Sequence, residues 1–466
     1  MGAAFARSKL QGREKRLGTL SAYWGTAHSL LTEVKDRQNI RTFSQAAFDE
    51  IIYALEVLGD IEDSVTVIHG PSGCGTIKIY YGEENAAANW YSTNLNERDT
   101  ILGGDEKLRE TIVSAYKKHR PKIIFIVATP VVAINNDDIN SVVLELEKEL
   151  TVKIVPVFTD GFNSKTAING YDLVLNAIGK YLLKGEVKAQ PDNFLNLVTL
   201  SENNANIKEI LLLLKKLKIE TQLVPRFTSY EQIKNSLRAR ASVALNHDEG
   251  YLLGKGLAEK YEVPYLKTPI PIGFENTAVW LQTVAAAFHK TGKVQAIINK
   301  ESADHKQLIE KKQLFGLKIY IDLKASLAIA LVPLLQELGG EIVGITVDEI
   351  DEINKNSLVV LPENLPVQIA SGQPFELANI LNKIKPDLYI GEKEKSSWVA
   401  KLGITALSID RTAIYGFNGS RNLLIVIGKA RGNKKLMQQI SHSGNPYYKN
   451  TWLQKSTNWH IKQEVK

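Results

Sequence analysis

A single thiol is available to this chain, Cys74, and it lies in VTVIHGPSGCG (65–75), where a β-branched apolar run enters a turn of Gly, Pro and Ser. A thiolate can serve as nucleophile, redox centre or soft metal ligand. Gly70, Gly73 and Gly75 carry no Cβ and admit φ > 0, so backbone or an inorganic ligand can approach the sulfur closely. A small buried hydrophobe is the commoner fate of a free cysteine. The strand-end position favours a site instead, because ligands of open α/β sheets bind outside the carboxyl ends of strands. One cysteine allows neither an intrachain disulfide nor a four-cysteine metal site, so an iron–sulfur or zinc centre would take its remaining ligands from another polypeptide. Gly70 and Gly75 also have the spacing of a phosphate-binding loop. Thr76 and Ile77 stand where that loop needs Lys and Ser/Thr, which argues against nucleotide binding.

Other polar residues have plainer readings. His69 is expected to order the turn by hydrogen bonding. Asp138, before an apolar-periodic run, is a helix N-cap, and Asp105 begins another helix. Gly103 and Gly104 are expected to turn the chain so that Ser92–Asp99 returns to the Cys74 loop. His247, at a strand end in VALNHDEG, is read as a hydrogen-bonded histidine rather than a ligand. The acidic run at 348–352 (DEIDE) is expected to be a solvated face. No G-x-S-x-G, H-E-x-x-H or Walker pair is present.

Apolar runs of four to eight residues alternate with helical patterns, the signature of βα units on parallel sheets. Strands are expected at 65–69, 123–128, 154–158, 194–200, 220–224, 243–246, 318–322, 341–346, 388–391 and 406–409, with helices at 105–118, 138–150, 206–217, 249–260 and 326–338. The apolar run 123–134 reads as a buried strand and its exit loop. The fold class is α/β, with three doubly wound, Rossmann-like parallel-sheet domains. KGEVKAQPDN (184–193) and KESADHKQLIEKK (300–312) read as joints, which places the domains at 1–192, 193–312 and 313–430, followed by a C-terminal arm, 431–466. The arm is either solvated or wrapped on a partner.

Composition supports a globular protein: 466 residues, 44% hydrophobic and 23% charged, enough for about three domains. The net charge of +6 is spread along the chain. It argues for docking acidic surfaces and against nucleic acid. The twelve-residue apolar run is too short to span a bilayer, so no membrane partner is expected. MGAAFARSKLQGREKR shows no secretory signal, and Ala6 occupies the Ser/Thr position of a myristoylation motif; a cytoplasmic location is expected.

Several segments in order carry a resemblance: HGPSGCG (69–75), YSTNLNERDTILGGDEKL (91–108), IFIVATPVVAINNDDI (124–139), IVPVFTDGF (154–162), INGYDLVLNAI (168–178), YEVPYLKTPIPIGFENTAVWL (261–281), KPDLYIGEKEKSSWVAKLGI (385–404) and YGFNGSRNLL (415–424). Together they resemble component 1 of nitrogenase and its relatives: the molybdenum–iron protein subunits, their cofactor-assembly scaffolds, and the protochlorophyllide and chlorophyllide reductases. The resemblance covers most of the chain. It implies that Cys74 ligates an iron–sulfur cluster shared across a subunit interface, with Gly73, Gly75 and Ser92 lining the cluster site. Nitrogenase subunits carry two further cysteines, whose places fall here near Trp90 and on Pro130. Neither can bind iron, so the resemblance implies a 4Fe-4S cluster with one ligand from this chain and three from an α-type homologue, rather than an eight-iron cluster. The domains downstream supply no second thiolate for a catalytic metallocofactor, which would sit in the partner subunit; this chain looks like the β-type half. The implied function is electron relay from an ATP-dependent iron protein within an α2β2 reductase. A cofactor-assembly scaffold and a paralogue without metal are the alternatives. The docking surface for the iron protein is expected over the helices that follow Cys74 and Pro130, with Lys78 as its basic residue.

Overall fold

The structure is a computed structural model that describes residues 10–32, 49–76, 89–159, 161, 164, 166–185, 191–370, 373–443 and 448–457. Lys78, the centre of the 184–193 joint and the last nine residues lie outside the described residues. The chain forms two compact units. One comprises Met1–Arg16, Phe48–Ser201 and Ile219–Lys267; the other comprises Leu17–Ala47, Glu202–Lys218 and Thr268–Lys466.

Strands are numbered along the chain. β1 (Ala22–Thr26) belongs to the second unit. The first unit contains a sheet of β2 (Ser64–His69), β3 (Trp90–Ser92), β4 (Ile123–Ala128) and β5 (Lys153–Phe158), in the spatial order β3-β2-β4-β5 and parallel throughout. Every residue of β2 and β4 is buried. Such continuous Val/Ile runs are what a parallel strand covered on both faces requires. Each large apolar side chain of IIFIVA contributes about 1.5–3 kcal/mol on burial. A second parallel sheet in this unit has the order β7-β6-β8-β9, from β6 (Asp192–Thr199), β7 (Glu220–Pro225), β8 (Ala239–Ala244) and β9 (Tyr265–Leu266).

The second unit holds one six-stranded sheet, β1-β12-β11-β10-β13-β14, formed with β10 (Lys318–Asp322), β11 (Glu341–Val347), β12 (Pro366–Ala370), β13 (Leu388–Gly391) and β14 (Thr405–Ser408). It is parallel except for β1, which pairs antiparallel with β12. In all three sheets the strand order reverses beside the first parallel strand: at β2/β4, β6/β8 and β10/β13. Connections diverge there and leave a crevice outside the carboxyl ends of the strands. The α/β, doubly wound reading holds for every sheet.

Several local expectations change. The apolar run after β4 leaves the sheet as a helix, Pro130–Asn135, whose Pro stands at the first helical position, where a missing N–H costs nothing. The acidic run 348–352 is not a solvated face: Glu349 and Asp351 are buried. Asp351 accepts from the N–H groups of Ile353 and Asn354, and Asp348 lies 3.5 Å from Lys395 Nζ. In the C-terminal segment, Leu453 is buried and Asn379 Nδ2 donates to the carbonyls of Leu453 and Lys455, so these residues lie on their own unit. Asp138 does cap its helix, Ile139–Glu149, by accepting from the N–H of Ser141.

Candidate metal-cluster site

The Cys74 turn follows β2, and Thr129–Pro130 follows β4, so both occupy the reversal point of the first sheet. The turn is held from three sides. Thr93 Oγ1 accepts from the Gly70 N–H at 2.9 Å and donates to the Gly70 carbonyl at 3.3 Å. The Leu95 N–H donates to the same carbonyl, and the Thr129 N–H donates to the His69 carbonyl at 3.2 Å. These bonds bring the 92–95 segment and the end of β4 against the turn. Gly70 has φ 151°, and a Cβ there would lie under 3.0 Å from three side-chain atoms of Thr129, so only glycine fits. At Gly75 a Cβ would come 2.3 Å from Ile68 Cδ1, so that methyl would have to move aside. Gly73 is open, with nothing within 4 Å of the position of its absent Cβ.

Cys74 is half-buried, and its N–H donates to the Pro71 carbonyl at 3.1 Å. Burial pushes the thiol above its ordinary pKa. The Thr129 hydroxyl opposes that rise, and the Asp49 carboxylate adds to it. The Thr129 hydroxyl is itself buried and has no hydrogen-bond partner of good geometry. A soft sulfur beside an open glycine face and a buried hydroxyl is a donor set that fits one corner of an iron–sulfur cluster. Among the described residues no group of three or more His, Cys, Asp and Glu is arranged to hold a metal ion. Among the described residues, Cys74 therefore belongs to no such group.

His69 is fully buried at the end of β2. Its Nδ1 lies 3.2 Å from Thr93 Oγ1 and its Nε2 lies 3.2 Å from Asp137 Oδ2. It braces the turn from behind, as its sequence position implies. Burial lowers its pKa to about 4, so the ring is neutral near neutral pH, while burial raises that of Asp137. Gly104 allows this packing, since a Cβ there would come 2.7 Å from Asp137 Oδ2 and 2.8 Å from His69 Cε1. Ser92 is half-buried, and its Oγ accepts from the Asn94 N–H at 3.1 Å. That bond shapes the segment touching the turn. Trp90 begins β3 opposite Thr66, at the far end of the strand from the turn, and Pro130 stands beside Thr129. His247 Nδ1 lies 2.7 Å from Tyr265 Oη, and the two rings stack. Thr93, Thr129 and Asp49 were not singled out from the sequence; a hydroxyl one residue after a buried strand carries no signal until the neighbouring strand is known.

Beyond the turn, Ile101 and Leu102 are 81% and 72% exposed on the helix Glu97–Leu102, and Ile134 is 71% exposed on the helix Pro130–Asn135 packed beside it.

Comparison with known proteins places these features in a family. Residues 51–430 match the model described as Nitrogenase component 1 type Oxidoreductase. The nitrogenase molybdenum-iron protein alpha chain of Methanosarcina barkeri is 29% identical over 62% of this chain, and the match spans 57% of that protein's length. The nitrogenase iron-molybdenum cofactor biosynthesis protein NifE of Clostridium pasteurianum is 26% identical over 78% of this chain and 83% of its own. A solved structure titled Nitrogenase Cp1 at pH 6.5 superposes with a TM-score of 0.74 and 17% identity, over 89% of this chain and 98% of that one, and shows the shared fold. With the family match running from the helix before β2 to the helix after β14, the chain belongs to the nitrogenase component 1 type oxidoreductases.

Proposed function

We propose that the chain is a β-type subunit of a nitrogenase-like reductase complex, pairing with a homologous α-type subunit and holding one corner of an interfacial 4Fe-4S cluster through Cys74. The observation that carries this reading is a solitary thiol at the sheet-reversal point, with an open glycine face and the buried Thr129 hydroxyl beside it. Cys74 would hold the iron as thiolate. The turn would leave room for the cluster at Gly73, and its backbone N–H groups would be available to the cluster sulfurs. Such a cluster, when bound, supplies a one-electron relay. The residues of this chain set its surroundings: His69 stays neutral and rigid behind the turn, and Thr93 fixes the turn's path. The exposed Ile101, Leu102 and Ile134 form an apolar surface suited to a transient protein contact, the place where an ATP-dependent iron protein would dock. A metallocofactor that reduces substrate would belong to the α-type partner, because this chain has no second thiolate.

A cofactor-assembly scaffold is the second reading. It is supported by the similarity to cofactor biosynthesis proteins named NifE, which extends over 78% and 79% of this chain. The test is anaerobic co-purification with a homologous partner, followed by iron count, EPR and assay with an iron protein and ATP. Cluster signals with turnover support the reductase. Cluster signals without turnover, and with transfer of metal to an acceptor, support the scaffold. An iron-free complex refutes both.

A further inference from the structure

A cavity of about 530 Å³ opens in the first unit at the carboxyl ends of β4 and β5, where Ala128 and Phe158 line it. Its floor is the edge strand at Pro156–Phe158, one wall is Val132 and Ala133 of the helix Pro130–Asn135 with the 136–140 connection, and the other is the helix Asn169–Ala177 with the π-helical turn Ile178–Leu182 that extends it. Leu173, Asn176, Ala177, Lys180 and Tyr181 line that second wall at i, i+3, i+4, i+7, i+8 spacing, one continuous helical face. π-turns are rare and concentrate at functional sites. Pro156 has no N–H to offer the cavity, as expected for proline on an edge strand.

Asn176 is nine-tenths buried in this wall, and its Oδ1 has no hydrogen-bond partner. A buried amide oxygen left unmatched is a cost that a donor from a ligand would remove. One turn further on, Lys180 is half-exposed with its Nζ 4.7 Å above the Tyr181 ring, and among the described residues no carboxylate lies within ion-pair distance of it. Of the two acids in the lining, Asp138 caps Ser141, and Asp137 Oδ2 stands 3.2 Å from His69 Nε2 without a hydrogen bond of good geometry. Leu10, Val157, Leu173 and Ala177 supply apolar lining to the same cavity.

We propose that this cavity binds a small organic acid with an aromatic or alicyclic body, whose hydroxyl or amide donor meets Asn176 Oδ1 and whose carboxylate meets Lys180. The site does not depend on the cluster. The test is ligand-observed NMR of the full chain titrated with 4-hydroxyphenylacetate, with phenylacetate as the probe that lacks the donor. Saturable binding at about millimolar or tighter is expected for the first probe, and at least fivefold weaker binding for the second. Asn176→Leu, which keeps the shape and removes the orphan oxygen, should abolish the difference between the probes while leaving the thermal midpoint unchanged or higher. Lys180→Met, at a half-exposed position that tolerates change, should weaken both probes at least fivefold. Absence of saturable binding to the wild-type chain overturns the proposal, as does equal affinity for both probes or unchanged affinity in both variants.

Discussion

Gly70→Ala tests the architecture of the turn most directly. At φ 151° an L-residue sits in a region that costs about 1–3 kcal/mol. The added methyl would also stand under 3.0 Å from three Thr129 side-chain atoms. Thr129 cannot simply retreat, because its N–H is bonded to the His69 carbonyl and its side chain is fully buried. Overpacking of this kind costs about another 1–3 kcal/mol, so the total is about 4 kcal/mol. Urea unfolding of the isolated chain, followed by tryptophan fluorescence, measures it. In a Thr129→Ala background, which removes two of the three close atoms, Gly70→Ala should cost only the backbone share, about 1–3 kcal/mol. A loss below 1 kcal/mol in the wild-type background, or the same loss in both, refutes the claim that Gly70 is there to let β4 close on the turn.

Cys74→Ser should leave the isolated chain's unfolding curve unchanged and sharply reduce the iron content of the complex, since oxygen is a poorer ligand than thiolate for iron–sulfur centres; unchanged iron and EPR would remove Cys74 as the ligand. His69 has a folded pKa depressed from 6.5 to about 4. Its contribution is therefore fully present above pH 6.5 and lost as pH falls toward 4, by up to about 3 kcal/mol at ~1.4 kcal/mol per unit. Asp137, raised above 3.8 by burial, works in the opposite sense within the same range, so the His69 share is read as the difference between wild type and His69→Gln, which should flatten the fall between pH 6.5 and 4. Ile101→Glu, at an 81% exposed position, should not alter stability by more than about 0.5 kcal/mol. It should nonetheless slow electron transfer from an iron protein to the complex at least tenfold; an unchanged rate excludes this patch from the docking surface.

The elements most legible in the sequence were those whose burial is complete. Ile123–Ala128, Lys318–Asp322 and Leu388–Gly391 are apolar from end to end, or nearly so, because a parallel strand covered on both faces has no solvent side to mark with polar residues. The helix start at Asp138 was equally plain, since capping is a local interaction of a few residues, whereas Asp105 is simply the first residue of its helix, in the acidic first turn that the helix dipole favours. β3 and β9 left no trace in the sequence because three and two residues cannot show a period. β12 was hidden by its polar Gln368, which is buried only because its Oε1 accepts from Thr346 Oγ1 on the neighbouring strand. The acidic run 348–352 misled for the same reason: its carboxylates are paid for by a helix N-terminus and by Lys395, partners that sequence distance conceals.

The sequence by itself determined the chain's one thiol, the glycines that free its approach, the three α/β blocks and the family to which they belong. A cysteine count is absolute, and the period of a strand or helix is written in neighbouring residues. Only the tertiary structure decided what surrounds the thiol. Thr93, Thr129 and His69 meet at the turn because β3 and β4 flank β2, and no local pattern encodes which strands become neighbours. The same holds for the cavity beside β5, whose Asn176 is an ordinary helical residue until the edge strand and the 136–140 connection come together beside it. Strand order converts residues distant in sequence into one site, and it is set by the burial of whole sheets rather than by any residue at the site itself.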